Sequence, residues 1–174
     1  LAEGEIAACS ALEFLKQHTA APIAESSVTE HAEEVQRFLT QSGSRFTTEQ
    51  LEEAMQTVMD AYAGGIKTNY RFNEKQLQIA DEKIVQLMQL SEQLHADDFQ
   101  ELMYIYELRE RLVVCRSVIA HLKTRQETRW HSFAENLDYP EKDDVHWRKY
   151  VNSKLENGEL KIIFRDLVEG GQTY

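Results

Sequence analysis

Phe46-Thr47-Thr48-Glu49-Gln50-Leu51 is the stretch of sequence that decides the fold, because it marks where a helix begins. Thr47 takes the N-cap position and Gln50 stands three residues later, the spacing at which the two side chains satisfy backbone N–H groups reciprocally. Phe46 and Leu51 are spaced as a hydrophobic staple around them. The stretch Phe72-Asn73-Glu74-Lys75-Gln76-Leu77 repeats this pattern, so a second helix is predicted to begin there.

Apolar residues follow both helix starts at the helical period, and a third periodic run extends from Asp98 to about Glu127. Three antiparallel helices joined by short turns bury such stripes economically. We therefore predict an all-α fold, an antiparallel three-helix (spectrin-repeat-like) bundle with extra N-terminal helices and a small C-terminal β-hairpin. The three stripes are Leu51, Met55, Val58 and Tyr62; Leu77, Ala80, Ile84, Leu87 and Leu94; and Ile105, Leu108, Leu112, Cys115, Ile119 and Leu122.

The segments on either side of the bundle carry their own signals. An N-terminal helix is predicted to end near His18, before Ala20-Ala21-Pro22, and Ser27-Val28-Thr29-Glu30 fits a capping box at the start of a short helix. Near the other end, Asn157-Gly158 lies between β-rich runs and predicts a hairpin. The predicted organisation is a helix over 1–20, a linker and short helix over 21–45, the bundle over 46–148, and the hairpin and tail over 149–174.

The composition narrows the classes of function. Lys and Arg number 19 against 30 Asp and Glu, a formal net charge of -11, which disfavours binding to nucleic acid or to an anionic membrane. The longest aliphatic run is Leu112-Val113-Val114, too short for a transmembrane segment. Cys9 and Cys115 lie far apart in the sequence, which suits reduced thiols. We therefore expect a cytoplasmic protein.

No catalytic or metal-binding residues are predicted. The spacing Glu92-Gln93-Leu94-His95 is one copy of a motif that di-iron bundles need twice, with two further carboxylates. It falls where a helix is expected to end, and a solvated helix terminus is the simpler interpretation. Cysteine and histidine spacing does not fit zinc, and we find no phosphate-binding loop or nucleophile motif. Cys115, inside an apolar stripe, is interpreted as a core residue.

The most informative stretch runs from Gln126 to Phe133 and from Leu137 to Trp147. It is aromatic and dense in charge, and in it Arg129 can fork to a carboxylate while Trp130 and Trp147 can cover an apolar surface. One interpretation is a loop pinned onto its own bundle. The other is a surface docked against another domain, since Trp, Tyr and Arg concentrate at interface hot spots.

The run Glu127-Thr128-Arg129-Trp130, then Asp138-Tyr139-Pro140, Asp144 and Trp147, resembles the C-terminal helical domain of the fumarate reductase/succinate dehydrogenase flavoprotein family. Within that family, the alpha subunits of the adenylylsulfate reductase branch are the most similar. Three further passages agree with the resemblance, which therefore runs along nearly the whole chain: Glu3 to Ala8, Met59 to Tyr70, and Asp98 to Met103.

The resemblance implies a role within a larger flavoprotein. Residues 1–20 would be the last helix of an FAD-binding domain, with Leu1 and Ala2 at the edge of the flavin pocket. FAD would be bound by the full-length parent and not by this segment alone. The FAD-binding domain of the same chain and an iron-sulfur beta subunit are the implied partners, and Arg129, Trp130, Tyr139 and Trp147 are the predicted interface residues. The family's catalytic arginines and histidines belong to other domains, so none maps onto this chain.

Two departures from the family pattern bear on the substrate. Trp130 stands where succinate dehydrogenases usually have Gly, which favours the adenylylsulfate reductase branch, whereas Asn136 stands where an Arg is expected. Adenylylsulfate, fumarate or succinate, and other acceptors thus stay open. A free-standing helical protein-interaction module, supported by the complete caps and the lack of a catalytic motif, is the alternative hypothesis, and a di-iron bundle is a third.

Overall fold

The structure, a computed structural model, describes residues 2–157 and 159–167, without the side chain of Ala2. It divides into two compact units, Leu1–Arg37 and Phe38–Tyr174. In the described part of the chain the fold is mostly helical, with short strands in its second half. The prediction of a mostly helical fold with a C-terminal hairpin is confirmed, and the spectrin-repeat-like form of the bundle stays a prediction.

The first unit contains helix α1 (Ala2–Gln17) and most of helix α2 (Glu25–Thr40). The end of α1 agrees with the prediction. The capping box at Ser27 was wrong, because α2 begins before it: the backbone N–H of Ser27 already donates to the Ala24 carbonyl at 3.0 Å. An acidic residue, Glu25, occupies the first turn instead, where it complements the positive end of the helix dipole.

The second unit is built around α3 (Thr48–Tyr62), α4 (Glu74–Ser91) and α5 (Phe99–Thr124), each of which contacts the other two. Both predicted capping boxes are confirmed. The Thr47 hydroxyl accepts from the Gln50 backbone N–H at 3.2 Å, and the Asn73 side chain accepts from that of Gln76 at 2.8 Å. Asp98 caps α5.

The core lies between these three helices. Because the predicted stripes face inward, most of their members are buried, whereas Tyr62, Cys115 and Leu122 are only partly covered. Phe38, from the end of α2, is also buried, and its ring meets that of Tyr106 edge-on with centroids 6.0 Å apart. The largest fully buried apolar side chains are Phe38, Leu77, Ile84, Leu94, Ile105, Leu108, Leu112 and Ile119.

A tight connection joins α3 to α4. Gly64 has a φ of +78°, the left-handed conformation that ends helices. A Cβ on Gly65 would lie 2.3 Å from the Asp60 Cα, so only glycine fits this close approach. A 3-10 turn (Ile66–Thr68) and strand β1 (Arg71–Phe72) then lead directly into the cap of α4.

The strands form two separate pairs. β1 pairs in parallel with β2 (Glu135–Asn136), a contact between residues 64 positions apart that the sequence analysis missed. After the single-turn helix α6 (Asp144–Trp147), β3 (Lys149–Glu156) and β4 (Glu159–Asp166) form the predicted antiparallel hairpin, which is confirmed. It rests against α5, where the Ser117 and Ser153 hydroxyl oxygens are 2.9 Å apart.

Candidate functional site

The segment between α5 and β3, residues 125–148, is organised by one carboxylate. The Glu127 side chain is 0% exposed and receives Nε and Nη2 of Arg129 at 2.8 and 3.0 Å, one on each oxygen. Arg125 Nη1 donates to it at 2.6 Å and the Asp143 backbone N–H at 2.9 Å. Burial by itself would raise the pKa of Glu127, but these hydrogen bonds hold that pKa below its ordinary value. Glu127 is therefore a buried anion held by two cations.

Arg125 joins the two ends of this segment, which we call the docking segment. Besides Glu127, it donates to the backbone carbonyl of Trp147 at 3.0 Å and to that of Lys149 at 3.1 Å. Its guanidinium also lies 5.8 Å from the centroid of the Trp147 ring. Since the guanidinium offers several donors in a fixed plane, Arg125 can tie the end of α5 to the start of the hairpin.

Arg129 extends the ion pairs toward the surface. Its Nη1 donates to Asp144 Oδ1 at 2.8 Å, and Lys142 Nζ lies 2.7 Å from the other oxygen of Asp144. Lys142 and then Arg129 lower the pKa of Asp144. The expectation that Arg129 forks to a carboxylate is met, and the carboxylate is Glu127 of the same chain.

A buried hydroxyl holds the middle of the docking segment. Thr128 Oγ1 accepts the backbone N–H of Asn136 at 3.0 Å and donates to the Tyr139 carbonyl at 2.9 Å. The Thr128 backbone N–H donates to the Glu141 carbonyl at 3.0 Å. Thr128 and Asn136 are both buried, so these bonds replace water for groups that would otherwise be unsatisfied.

The docking segment is also fastened to the start of α4. The backbone N–H of Leu137 donates to the Phe72 carbonyl at 2.8 Å. Asp138 Oδ2 accepts the backbone N–H of Glu74, the first residue of α4, at 2.7 Å. A carboxylate at a helix N-terminus interacts favourably with the helix dipole. The segment therefore helps to cap α4.

The predicted interface residues differ in what they contact. Arg129 is engaged with Glu127 and Asp144, and Trp147 is half-buried, with its ring centroid 6.0 Å from that of Phe164. Trp130 and Tyr139 are instead 69% and 40% exposed. The structure thus links Arg129 and Trp147 through Arg125 and Glu127, and leaves Trp130 and Tyr139 open to solvent. Their contact with a partner stays a prediction.

The residues that organise the segment were not predicted to do so: Glu127, Thr128 and Asn136 were considered only as positions of the family pattern, and Arg125 was not considered. The alternation Arg125, Glu127, Arg129 was the available signal, because two cations around one carboxylate can compensate its burial. The exposed apolar side chains that accompany Trp130 and Tyr139 on this segment are Phe133, Leu137 and Val145.

The candidate cofactor positions lie at the edge of what is described. Leu1 is outside the described residues, and Ala2 is seen only as the first residue of α1. Among the described residues, no cluster of three or more His, Cys, Asp and Glu is placed to hold a metal ion. Glu92, considered above as an iron ligand, pairs with Arg109 at 2.8 Å. Within the same residues, no helix is both long and apolar enough to cross a bilayer.

Comparison with known families decides what this domain is. The family model described as the C-terminal region of the fumarate reductase flavoprotein matches residues 52–170. The chain belongs to this family. The resemblance inferred from the stretch between Glu127 and Trp147 is thereby confirmed, and this flavoprotein family domain includes the whole docking segment.

Similar proteins place the flavoprotein domain near the adenylylsulfate reductases. It is 32% identical to adenylylsulfate reductase subunit alpha of Megalodesulfovibrio gigas over 97 residues. These aligned residues make up 56% of this chain and 15% of that protein. The solved adenylylsulfate reductase of Archaeoglobus fulgidus superposes with a TM-score of 0.91 and 30% identity, covering 99% of this chain and 29% of that chain. The present chain therefore spans less than a third of the length of these relatives.

Fumarate reductase shares the fold at lower identity. The quinol fumarate reductase of E. coli superposes with a TM-score of 0.71 and 19% identity, over 89% of this chain and 27% of that one. Sdh1 of Mycobacterium smegmatis gives a TM-score of 0.73 and 16% identity, over 90% of this chain and 26% of that one. At these identities the likeness establishes the fold alone.

Proposed function

We propose that this chain is the C-terminal helical domain of an FAD-dependent oxidoreductase subunit, which braces the flavin domain and contacts an iron-sulfur partner subunit. Family membership carries the proposal, and the greater identity to adenylylsulfate reductases favours that type over the fumarate reductase/succinate dehydrogenase type. Flavin chemistry would take place in the rest of the parent protein, and no catalytic residue is assigned to this chain.

The docking segment is the surface proposed for the iron-sulfur subunit. Its backbone is held by the buried Glu127 and Thr128, so side chains that it exposes are pre-organised for binding. Trp130 and Val145 are 69% and 88% exposed. A rigid loop that displays a tryptophan and aliphatic side chains beside charged groups has the composition of an interface hot spot. Arg129 and Trp147 would support this surface from beneath.

The first unit is proposed to meet the flavin domain. Helix α1 exposes Ile6, Leu12, Phe14 and Leu15, a set of apolar side chains that an adjoining domain would remove from water. The backbone N–H groups at the start of α1 carry a partial positive charge that suits an anionic reduced flavin. Leu1 and Ala2 are accordingly proposed to border the flavin pocket. A cytoplasmic location is proposed on separate grounds, because Cys9 and Cys115 are both free thiols.

The reading frame upstream of Leu1 provides the simplest test of flavin binding. We expect it to encode a Rossmann-type dinucleotide fingerprint, a strand, a glycine-rich turn and a helix. The parent protein, purified from its natural source, should carry FAD with its characteristic visible absorption. A parent without the fingerprint and without flavin would contradict the proposal and favour the free-standing interaction module.

The docking surface is tested separately by binding between the parent flavoprotein and its iron-sulfur subunit. Trp130→Ala should weaken that binding about tenfold or more, because truncation of a central aromatic anchor removes a hot spot. Val114→Ala is the matched control, since Val114 is a 60% exposed apolar residue on α5 outside the docking segment. Equal affinities of the two variants would show that the docking segment does not contact the subunit.

A further inference from the structure

The C-terminal hairpin has an open edge along β4. In an antiparallel hairpin the residues that flank a two-residue turn are a hydrogen-bonded pair, and bonded and non-bonded pairs alternate from there. Glu156 lies opposite Glu159 across this turn. The backbone N–H and C=O groups of Leu160, Ile162 and Phe164 therefore point away from β3. Among residues 2–157 and 159–167, no hydrogen bond to these outward groups is made.

The other edge of the hairpin supports this assignment of directions. By the same alternation, the Lys149 carbonyl on β3 points outward, and Arg125 Nη2 donates to it at 3.1 Å. The outer edge of β3 is thus partly satisfied by the chain itself. Unpaired strand edges are templates for pairing with another strand, and β4 presents the longer open one.

Two opposite charges frame the open edge. Glu159 and Arg165 lie three residues to either side of Ile162 and are both exposed. Neither forms an ion pair with any residue that the structure describes, whereas Lys161, on the same face, is bonded to Glu156. Lysine on an edge strand discourages indiscriminate pairing, so a partner has to match these charges in register.

We propose that β4 pairs antiparallel with β4 of a second copy of this chain, with the two-fold axis at Ile162. In that register Leu160 lies opposite Phe164 of the second copy, and the outward backbone groups of both strands meet. Glu159 lies opposite Arg165 of the second copy, and by symmetry this ion pair forms twice. The two Glu159–Arg165 ion pairs occupy non-hydrogen-bonded positions, where side chains approach most closely. The two hairpins become one continuous four-stranded sheet.

Alternative pairings are less favourable. Moving the axis by one residue to Ile163 would put Lys161 opposite Arg165 of the second copy, and like charges directly opposite each other destabilise a sheet. Within β3, the charged residues are Lys149, Lys154 and Glu156. An antiparallel self-pairing of its outward groups about Leu155 brings Glu156 opposite Lys154 of the second copy, but only residues 154–156 of the strand then overlap, whereas β4 overlaps over residues 159–165. Charge complementarity together with the length of the overlap therefore selects β4 and the register centred on Ile162.

Sedimentation of the 174-residue chain over a wide range of concentrations tests the dimer. We expect a reversible monomer-dimer equilibrium. Glu159→Arg and Arg165→Glu should each raise the dimer dissociation constant about tenfold, because two ion pairs are lost and like charges face each other. The double variant should restore the wild-type constant. Lys154→Glu, a charge reversal on the same hairpin face but away from the edge, is the control and should change little.

Hydrogen exchange gives an independent readout. In the dimer, the amides of Leu160, Ile162 and Phe164 should become protected as concentration rises, whereas those of Lys161 and Ile163, already bonded within the hairpin, should not change. A chain that stays monomeric, or a double variant that fails to restore association, would overturn the proposal. Protection that is independent of concentration would also overturn it, because it would mean that another part of the chain covers this edge.

Discussion

The Glu127 carboxylate and the Arg129 guanidinium, two residues apart in sequence, form a two-pronged ion pair with N–O distances of 2.8 and 3.0 Å. Such a pair with both oxygens engaged is among the stronger hydrogen-bonded contacts in proteins. The carboxylate is buried while both arginines that bind it keep about a quarter of their side-chain surface exposed. The conformation of the docking segment therefore depends on one buried negative charge.

We predict that Glu127→Gln lowers the free energy of unfolding by about 2–3 kcal/mol. This loss is smaller than the roughly 3–5 kcal/mol expected when a fully buried ion pair loses one partner, because the two arginines stay partly hydrated. Urea titration followed by the fluorescence of Trp130 and Trp147 measures this. Glu135→Gln is the control, since Glu135 binds Arg71 at 3.1 Å in a more exposed position and should matter much less. Equal effects of the two substitutions would contradict a special role for Glu127.

The same ion pair predicts a dependence of stability on pH. Because the pKa of Glu127 in the folded chain lies below its ordinary value of 4.5, the stabilisation is fully present above about pH 4.5 and is lost as the pH falls through the folded pKa. The difference in unfolding free energy between wild type and Glu127→Gln should therefore be largest near neutrality and shrink in acid. A difference that stays constant from neutral to acid pH would rule out this linkage.

Thr128 provides a test of the second, uncharged anchor of the segment. Thr128→Val keeps the shape of the side chain but leaves the Asn136 N–H and the Tyr139 carbonyl without their partner, so we expect a loss of about 1–3 kcal/mol. Thr128→Ser retains the hydroxyl and should lose less. Thermal or urea unfolding measures both variants, and a valine variant as stable as the serine variant would show that the hydroxyl is dispensable.

The two thiols should differ in reactivity. Cys9 is exposed, whereas Cys115 is only partly accessible on α5, and burial raises the pKa of the Cys115 thiol. Less thiolate and less access both slow alkylation, so a maleimide at mildly alkaline pH should modify Cys9 about tenfold faster or more. Mass spectrometry of the wild type and of Cys9→Ser follows the two sites. Equal rates in the folded chain would show that α5 opens readily at Cys115.

Local signals in the sequence account for most of the helices. The caps at Thr47 and Asn73 and the left-handed Gly64 act within a few residues, so the pattern of side chains identifies them without knowledge of the fold. The error at Ser27 has the same origin, since a capping-box pattern involves only four neighbouring residues and does not by itself fix where a helix begins. Ser27 lies inside α2, because the helix begins at Glu25 and the Ser27 backbone N–H already donates to the Ala24 carbonyl.

By itself, the sequence determined the mostly helical class, the starts of α3 and α4, the hairpin turn and the family, because each depends on neighbouring residues or on their order. Only the tertiary structure decided that Phe72 lies beside Asn136 in a parallel pair, that Glu127 is buried between Arg125 and Arg129, and that Arg129 and Trp147 face inward while Trp130 faces water. Burial and long-range hydrogen bonds set these outcomes, and both depend on which distant segments meet. The ion pair of Glu127 and Arg129 shows the division: the two residues are neighbours in the sequence, but the fold removes water from the carboxylate.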